Sequence, residues 1–79
     1  MKPTVRYIDL GFCELGCRAM VIPLDHYSPR ITNRRWVTTS TVLAITPGVD
    51  GPTFETRRTI YVPVESGEAV RVRERRAVV

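Results

Sequence analysis

Proline at positions 3, 23, 29, 47, 52 and 63 and glycine at 11, 16, 48, 51 and 67 interrupt the chain so often that its apolar residues fall into short runs. Short runs rich in β-branched and aromatic residues read as strands, and the Pro and Gly between them as turns. Thr4 to Phe12 alternates, with Ile8, Leu10 and Phe12 in one phase and Arg6 in the same phase near its start. Gly11 and Gly16 bracket a turn around Cys13, Glu14 and Leu15. Arg18 to Leu24 is mostly apolar, and Pro23 would break a helix there, so a buried strand is expected. Asp25 to Arg35, with Ser28, Pro29 and Asn33, reads as a polar loop.

The strongest β signal lies in the second half. Trp36 to Thr46 is dense in Thr, Val and Ile, a composition that suits a pleated surface. Pro47 to Pro52 is turn chemistry, with glycines available for positive φ and prolines fixing the chain direction. Phe54 to Val64 then places Phe54, Ile60, Val62 and Val64 in one phase and Glu55, Arg57, Thr59 and Tyr61 in the other. Two such runs around such a turn predict a hairpin. Arg58 falls in the apolar phase, which predicts a bulge or an exposed strand end. Pro63 confines its end of the run to an edge or unpaired position. Beyond the Ser66-Gly67 turn, Val70 and Val72 alternate with Arg71, Arg73 and Arg75, as in a half-buried edge strand. A short helix or a partly flexible tail over 66–79 are the alternatives.

A chain of 79 residues makes one small domain, 1–79, and buries only about 60% of the surface its unfolded form exposes. Its strands must curl to cover their own core. The expected class is therefore all-β, a small SH3-like open barrel or a strongly bent antiparallel sheet of about four or five short strands. Ile8, Leu10, Val21, Leu43, Ile45, Phe54, Ile60 and Val62 are the expected core. Trp36, the one tryptophan, is expected inside as well.

The net charge is +4, and all of the excess lies after residue 29. Eleven of the twelve basic residues are arginine, whose planar fork suits phosphates and carboxylates, although a GC-rich genome produces the same bias. If extended, residues 69 to 75 project Arg71, Arg73 and Arg75 from one face at intervals of roughly 6.6–6.8 Å. With Arg34, Arg35 and Arg57 they form the candidate nucleic-acid contacts, and these guanidiniums, with Arg30 and Arg58 beside them, interleave with Trp36, Tyr27 and Tyr61 for stacking. The net charge is nevertheless modest. Together with the many strand edges open to strand addition, this favours a protein partner or self-association, including a homodimer, over nucleic acid.

Catalysis finds few parts. Asp25-His26-Tyr27-Ser28 sits beside Pro29, where Asp, Ser and Pro are expected as turn formers, and adjacency in sequence does not make a triad. The sequence holds no G-x-S-x-G, no H-E-x-x-H and no glycine-rich phosphate loop. Cys13, Cys17 and His26 are weak metal candidates, because a closed zinc site needs four convergent ligands. No enzyme activity, cofactor or small-molecule substrate is expected. The longest apolar stretch is far below the roughly 18 residues that span a bilayer, and Arg6 and Asp9 interrupt any apolar leader, so a cytoplasmic location without membrane contact is expected.

Thr39-Ser40-Thr41-Val42, a turn, then Phe54-Glu55-Thr56-Arg57-Arg58-Thr59-Ile60-Tyr61 resembles short uncharacterised β-rich proteins of bacteriophages and mobile elements. The resemblance covers residues 39 to 61 only and supplies no activity or site residue. It implies a small phage-type protein that acts by binding, such as one blocking a host regulator or defence protein.

Overall fold

The computed structural model describes residues 1–64. All regular structure in them is β: β1 (Thr4–Phe12), β2 (Arg18–Pro23), β3 (Val37–Thr41), β4 (Ala44–Thr46), β5 (Thr53–Glu55) and β6 (Ile60–Pro63). They form one six-stranded sheet in the order β3-β2-β1-β6-β5-β4. Its pairings are antiparallel except for β1 with β6, which run parallel, so the sheet is mixed rather than purely antiparallel and has more strands than its sequence suggests. The tail expected to hold an edge strand lies outside the described residues.

The order of strands dictates the shape. β3 and β4 are the two edges of the sheet, yet only Val42 and Leu43 separate them in the chain. Thr41 pairs with Arg18 of β2, and Ala44 pairs with Glu55 of β5. Five inter-strand spacings would hold flat edges about 24 Å apart. Three Cα steps reach at most about 11 Å. The sheet therefore has to bend until its edges meet at that corner, although no ladder joins β3 to β4 and the sheet stays unclosed. Backbone bonds fix the corner: Val42 N–H donates to Cys17 O at 2.8 Å, Gly16 N–H donates to Val42 O at 2.9 Å, and Leu43 N–H donates to Glu55 O at 2.8 Å.

Bending creates an inner face, and the main core fills it. Val5 and Tyr7 of β1, Ala19 and Val21 of β2, Val42 at the corner, Phe54 of β5 and Tyr61 of β6 are all buried there. Phe54 and Tyr61 are register partners and stack at 4.7 Å, while Tyr7 meets Phe54 edge-on at 5.2 Å. The Tyr7 hydroxyl donates to Pro52 O and so ties the β4–β5 turn to the core. Ile8, Ile22, Leu24 and Val64 form a second cluster with Leu10 packed against it. Successive strand residues point to opposite faces, so this cluster lies on the outer side of β1 and β2.

Several expectations change here. Ile8, Val21 and Phe54 are buried, but Leu43 is 58% exposed because it sits just past the corner. Trp36 is 58% exposed as well. The run 36–46 is two strands, and 54–64 is interrupted by a turn at Arg57-Arg58, which explains why Arg58 broke the phase. Only its inner part is the expected hairpin, with β4 pairing β5 around residues 47–52. In that turn Gly51 has φ +129, and a Cβ there would stand 2.8 Å from Asp9 Cβ, so glycine is required.

Phe54→Ala should cost about 3–5 kcal/mol, a large part of a small domain's stability of order 5 kcal/mol. Leu43→Ala should change it by less than about 0.5 kcal/mol. Urea unfolding of the two variants measures both, and a large loss in Leu43→Ala would contradict the corner geometry.

Candidate binding cleft

The loop between β2 and β3 is polar, but its own side chains hold it in shape. Asn33 Oδ1 accepts from His26 N–H at 2.7 Å while Asn33 Nδ2 donates to His26 O at 3.3 Å. Arg34 takes a positive φ of 67°, and its N–H donates to Pro23 O at 2.7 Å, which anchors the loop at the end of β2. Asp25 accepts from both the backbone N–H and the Nε of Arg6, at 2.7 and 2.9 Å. Burial pushes the Asp25 carboxyl up, but these bonds and the guanidinium charge outweigh it and hold the group below its ordinary value.

This loop forms one wall of an open cleft of about 740 Å³. β3 and Leu43 form a second wall, the Thr56–Thr59 turn a third, and Tyr61 lies at its base. A backbone bond from Thr56 N–H to Thr59 O, 2.9 Å long, closes that turn and leaves Arg57 and Arg58 exposed on it. The lining brings together Arg30, Arg57 and Arg58, the hydroxyls of Ser28, Thr38, Ser40 and Thr41, and the rings of His26, Tyr27 and Tyr61. None of the described lining residues is Asp or Glu. Such a surface attracts anions and offers hydroxyls and ring faces for secondary contacts.

His26 is fixed at every polar atom of its ring. Ser28 N–H can only donate, and it lies 3.0 Å from Nδ1, so Nδ1 accepts. Nε2 then carries the proton and donates to Tyr61 Oη at 3.2 Å. Tyr27 stacks on the imidazole at 4.6 Å with 22° between the rings, and its hydroxyl shares a 2.7 Å hydrogen bond with Thr59 Oγ1. Burial lowers the His26 pKa, and the charge of Asp25 opposes this without reversing it. Tyr61 moves the other way, raised by burial and then by Tyr27.

The residues singled out in the sequence separate into groups. Arg57 lines the cleft, whereas Arg34 and Arg35 are exposed on the loop and do not. Arg71, Arg73 and Arg75 lie outside the described residues. Arg30 and Arg58, which the sequence sets beside Arg34, Arg35 and Arg57 among the guanidiniums near the aromatic residues, line the cleft as well, and the misplaced phase of Arg58 was the signal for its turn. Cys13 and Cys17 both precede β2, whereas His26 follows its end, about 20 Å of strand away. Both thiols are free, and among the described residues no three His, Cys, Asp or Glu side chains group to hold a metal. No described helix is long and apolar enough to cross a membrane. Comparison of the chain with protein families, curated proteins and solved structures finds no match.

The single histidine makes its environment directly measurable by NMR titration. Its pKa should lie below the ordinary 6.5, with Nε2 protonated in the neutral form. Folding then favours neutral His26, so its contribution to stability is present above pH 6.5 and is lost as pH falls through the lowered pKa. A midpoint above 6.5, or an Nδ1-protonated tautomer, would contradict the geometry.

Proposed function

We propose that this protein is a non-catalytic binding module whose cleft takes a single-stranded nucleic acid. The observation that carries this reading is a cleft lined by Arg30, Arg57 and Arg58 with no carboxylate among its described lining residues. Guanidiniums so placed neutralise phosphates, and two exposed aromatics of the β2–β3 loop, Tyr27 in the cleft and Trp36 at the end of that loop, suit unpaired bases. The exposure of Trp36 removes the main argument for reading the aromatics as core alone. Arg34 and Arg35 add charge on the adjoining loop, and Arg71, Arg73 and Arg75, outside the described residues, are proposed to make phosphate contacts as well. The absence of catalysis is supported by the commitment of both His26 ring nitrogens to Ser28 and Tyr61, which leaves the cleft without a free imidazole base.

A protein partner is the second reading, supported by the two sheet edges. β3 and β4 each have a strand on one side only among the described residues, and an edge accepts strand addition by another chain or a second copy. The exposed Phe12 at the end of β1 and Leu15 on the β1–β2 connection add apolar surface to that case. A phage-type protein that blocks a host protein would act in this way. A cytoplasmic setting suits both readings.

Binding of a fluorescent single-stranded oligonucleotide, followed against salt, separates them. Removing one arginine–phosphate pair should flatten the slope of log K against log salt by about 0.7, so Arg57→Ala with Arg58→Ala should flatten it by about 1.4. Substituting Arg71, Arg73 and Arg75 by Ala measures the share of the tail. No salt-dependent binding at micromolar protein in low salt, with a dimer seen in sedimentation, would overturn the nucleic-acid reading in favour of the edges.

A further inference from the structure

We propose that Tyr27 is a pre-organised platform on which one unpaired nucleobase stacks, an inference that rests on the nucleic-acid reading of the cleft. Two aromatic residues besides His26 line that cleft, and they differ in what they can offer. Tyr61 is 5% exposed, with one ring face against Phe54 and its hydroxyl taken by His26. Tyr27 is 54% exposed and lines the same cleft. Its environment holds the ring still without covering it. His26 occupies one face, stacked at 4.6 Å, and Thr59 grips the far end through the hydroxyl.

The support beneath Tyr27 is itself rigid. His26 is held by Ser28 N–H, by Tyr61 Oη and through its backbone by Asn33. Tyr61 in turn stacks on Phe54 in the core. An exposed aromatic ring in solution loses rotamer freedom when a base settles on it, and here that freedom has already been given up in folding. A base on the open face would continue the stack His26–Tyr27, with Arg30, Arg57 and Arg58 within the same cleft for its flanking phosphates. Stacking of this kind tolerates any base, because every base has a π face. The site should therefore distinguish a strand with bases from a bare sugar-phosphate backbone, and discriminate weakly among sequences.

The test compares two ligands and three proteins. The ligands are a short single-stranded DNA and the same length of abasic DNA; the proteins are the wild type, Tyr27→Leu and Tyr27→Phe. The wild type should prefer the strand with bases by roughly tenfold, within the range one base on one aromatic ring supplies. Tyr27→Leu should lose that preference and keep its salt slope, because the guanidiniums are untouched. Tyr27→Phe should keep most of the preference, since it retains the ring and loses only the bond to Thr59. If Tyr27→Leu still prefers bases as the wild type does, or the wild type shows no preference at all, the platform is overturned while the phosphate-binding cleft stands. If neither ligand binds the wild type with salt dependence, the nucleic-acid reading falls and the platform with it. Tyr27 is half-exposed, and circular dichroism melts of the two variants confirm that any loss belongs to the ligand rather than to folding.

Discussion

The architecture depends on a two-residue link between opposite edges of one sheet. At Val42 the chain leaves β2 as a neighbour, and by Ala44 it has β5. Adjacent amides at positions 42 and 43 donate to carbonyls on opposite sides of the strand order, Cys17 just before β2 and Glu55 of β5. A flat sheet cannot satisfy both, so the bend is a consequence of covalent reach rather than of any particular side chain. Val42 is completely buried where the edges meet, and the inner face that results is the one that holds Val5, Tyr7, Phe54 and Tyr61.

The same bend builds the cleft. It brings β3, which among the described residues pairs with β2 alone, close to the Thr56–Thr59 turn that joins β5 to β6. The β2–β3 loop then fills the side between them. A continuous line of side chains runs from core to cleft: Tyr7 against Phe54, Phe54 stacked on Tyr61, Tyr61 bonded to His26, and His26 stacked under Tyr27. Damage to the core should therefore reach the cleft rings, whereas Arg57 and Arg58 stand on a turn that the buried Thr56 and Thr59 hold in place. Stability and ligand chemistry are divided between different residues of one short segment.

Much of the strand pattern was legible in the sequence, because Pro, Gly and period-two alternation are local signals. The bounds of β1, the buried character of β2 and the turn at 47–52 could all be read from them. The split of residues 36–46 could not, since Thr, Val, Leu and Ala continue through the corner without a Gly or Pro to mark it. Nor could the parallel pairing of β1 with β6, which joins residues more than fifty positions apart. The choice of faces followed from the same limit. Ile8 and Leu10 look like the core face of β1, but a central strand of a curled sheet is covered on both sides, and Val5 and Tyr7 face the larger cluster. The arginines were visible as a composition, but their grouping depends on a turn and a loop that only the folded sheet brings together. Arg57 was legible as a candidate, Arg30 and Arg58 less so. Trp36 was misplaced because burial averages assign a lone tryptophan to a small core, whereas the aromatic positions of this core are filled by Tyr7, Phe54 and Tyr61.

Native-state hydrogen exchange at two neighbouring amides tests the closure of the bend most directly. Val42 and Leu43 should both be strongly protected and should exchange with the same opening free energy, because each bond requires the other end of the sheet to be in place. Rapid exchange at Leu43 beside a protected Val42 would mean that β4 and β5 separate from the corner on their own. The sheet would then be an open ribbon, and the cleft would lose the wall on which Arg57 and Arg58 stand.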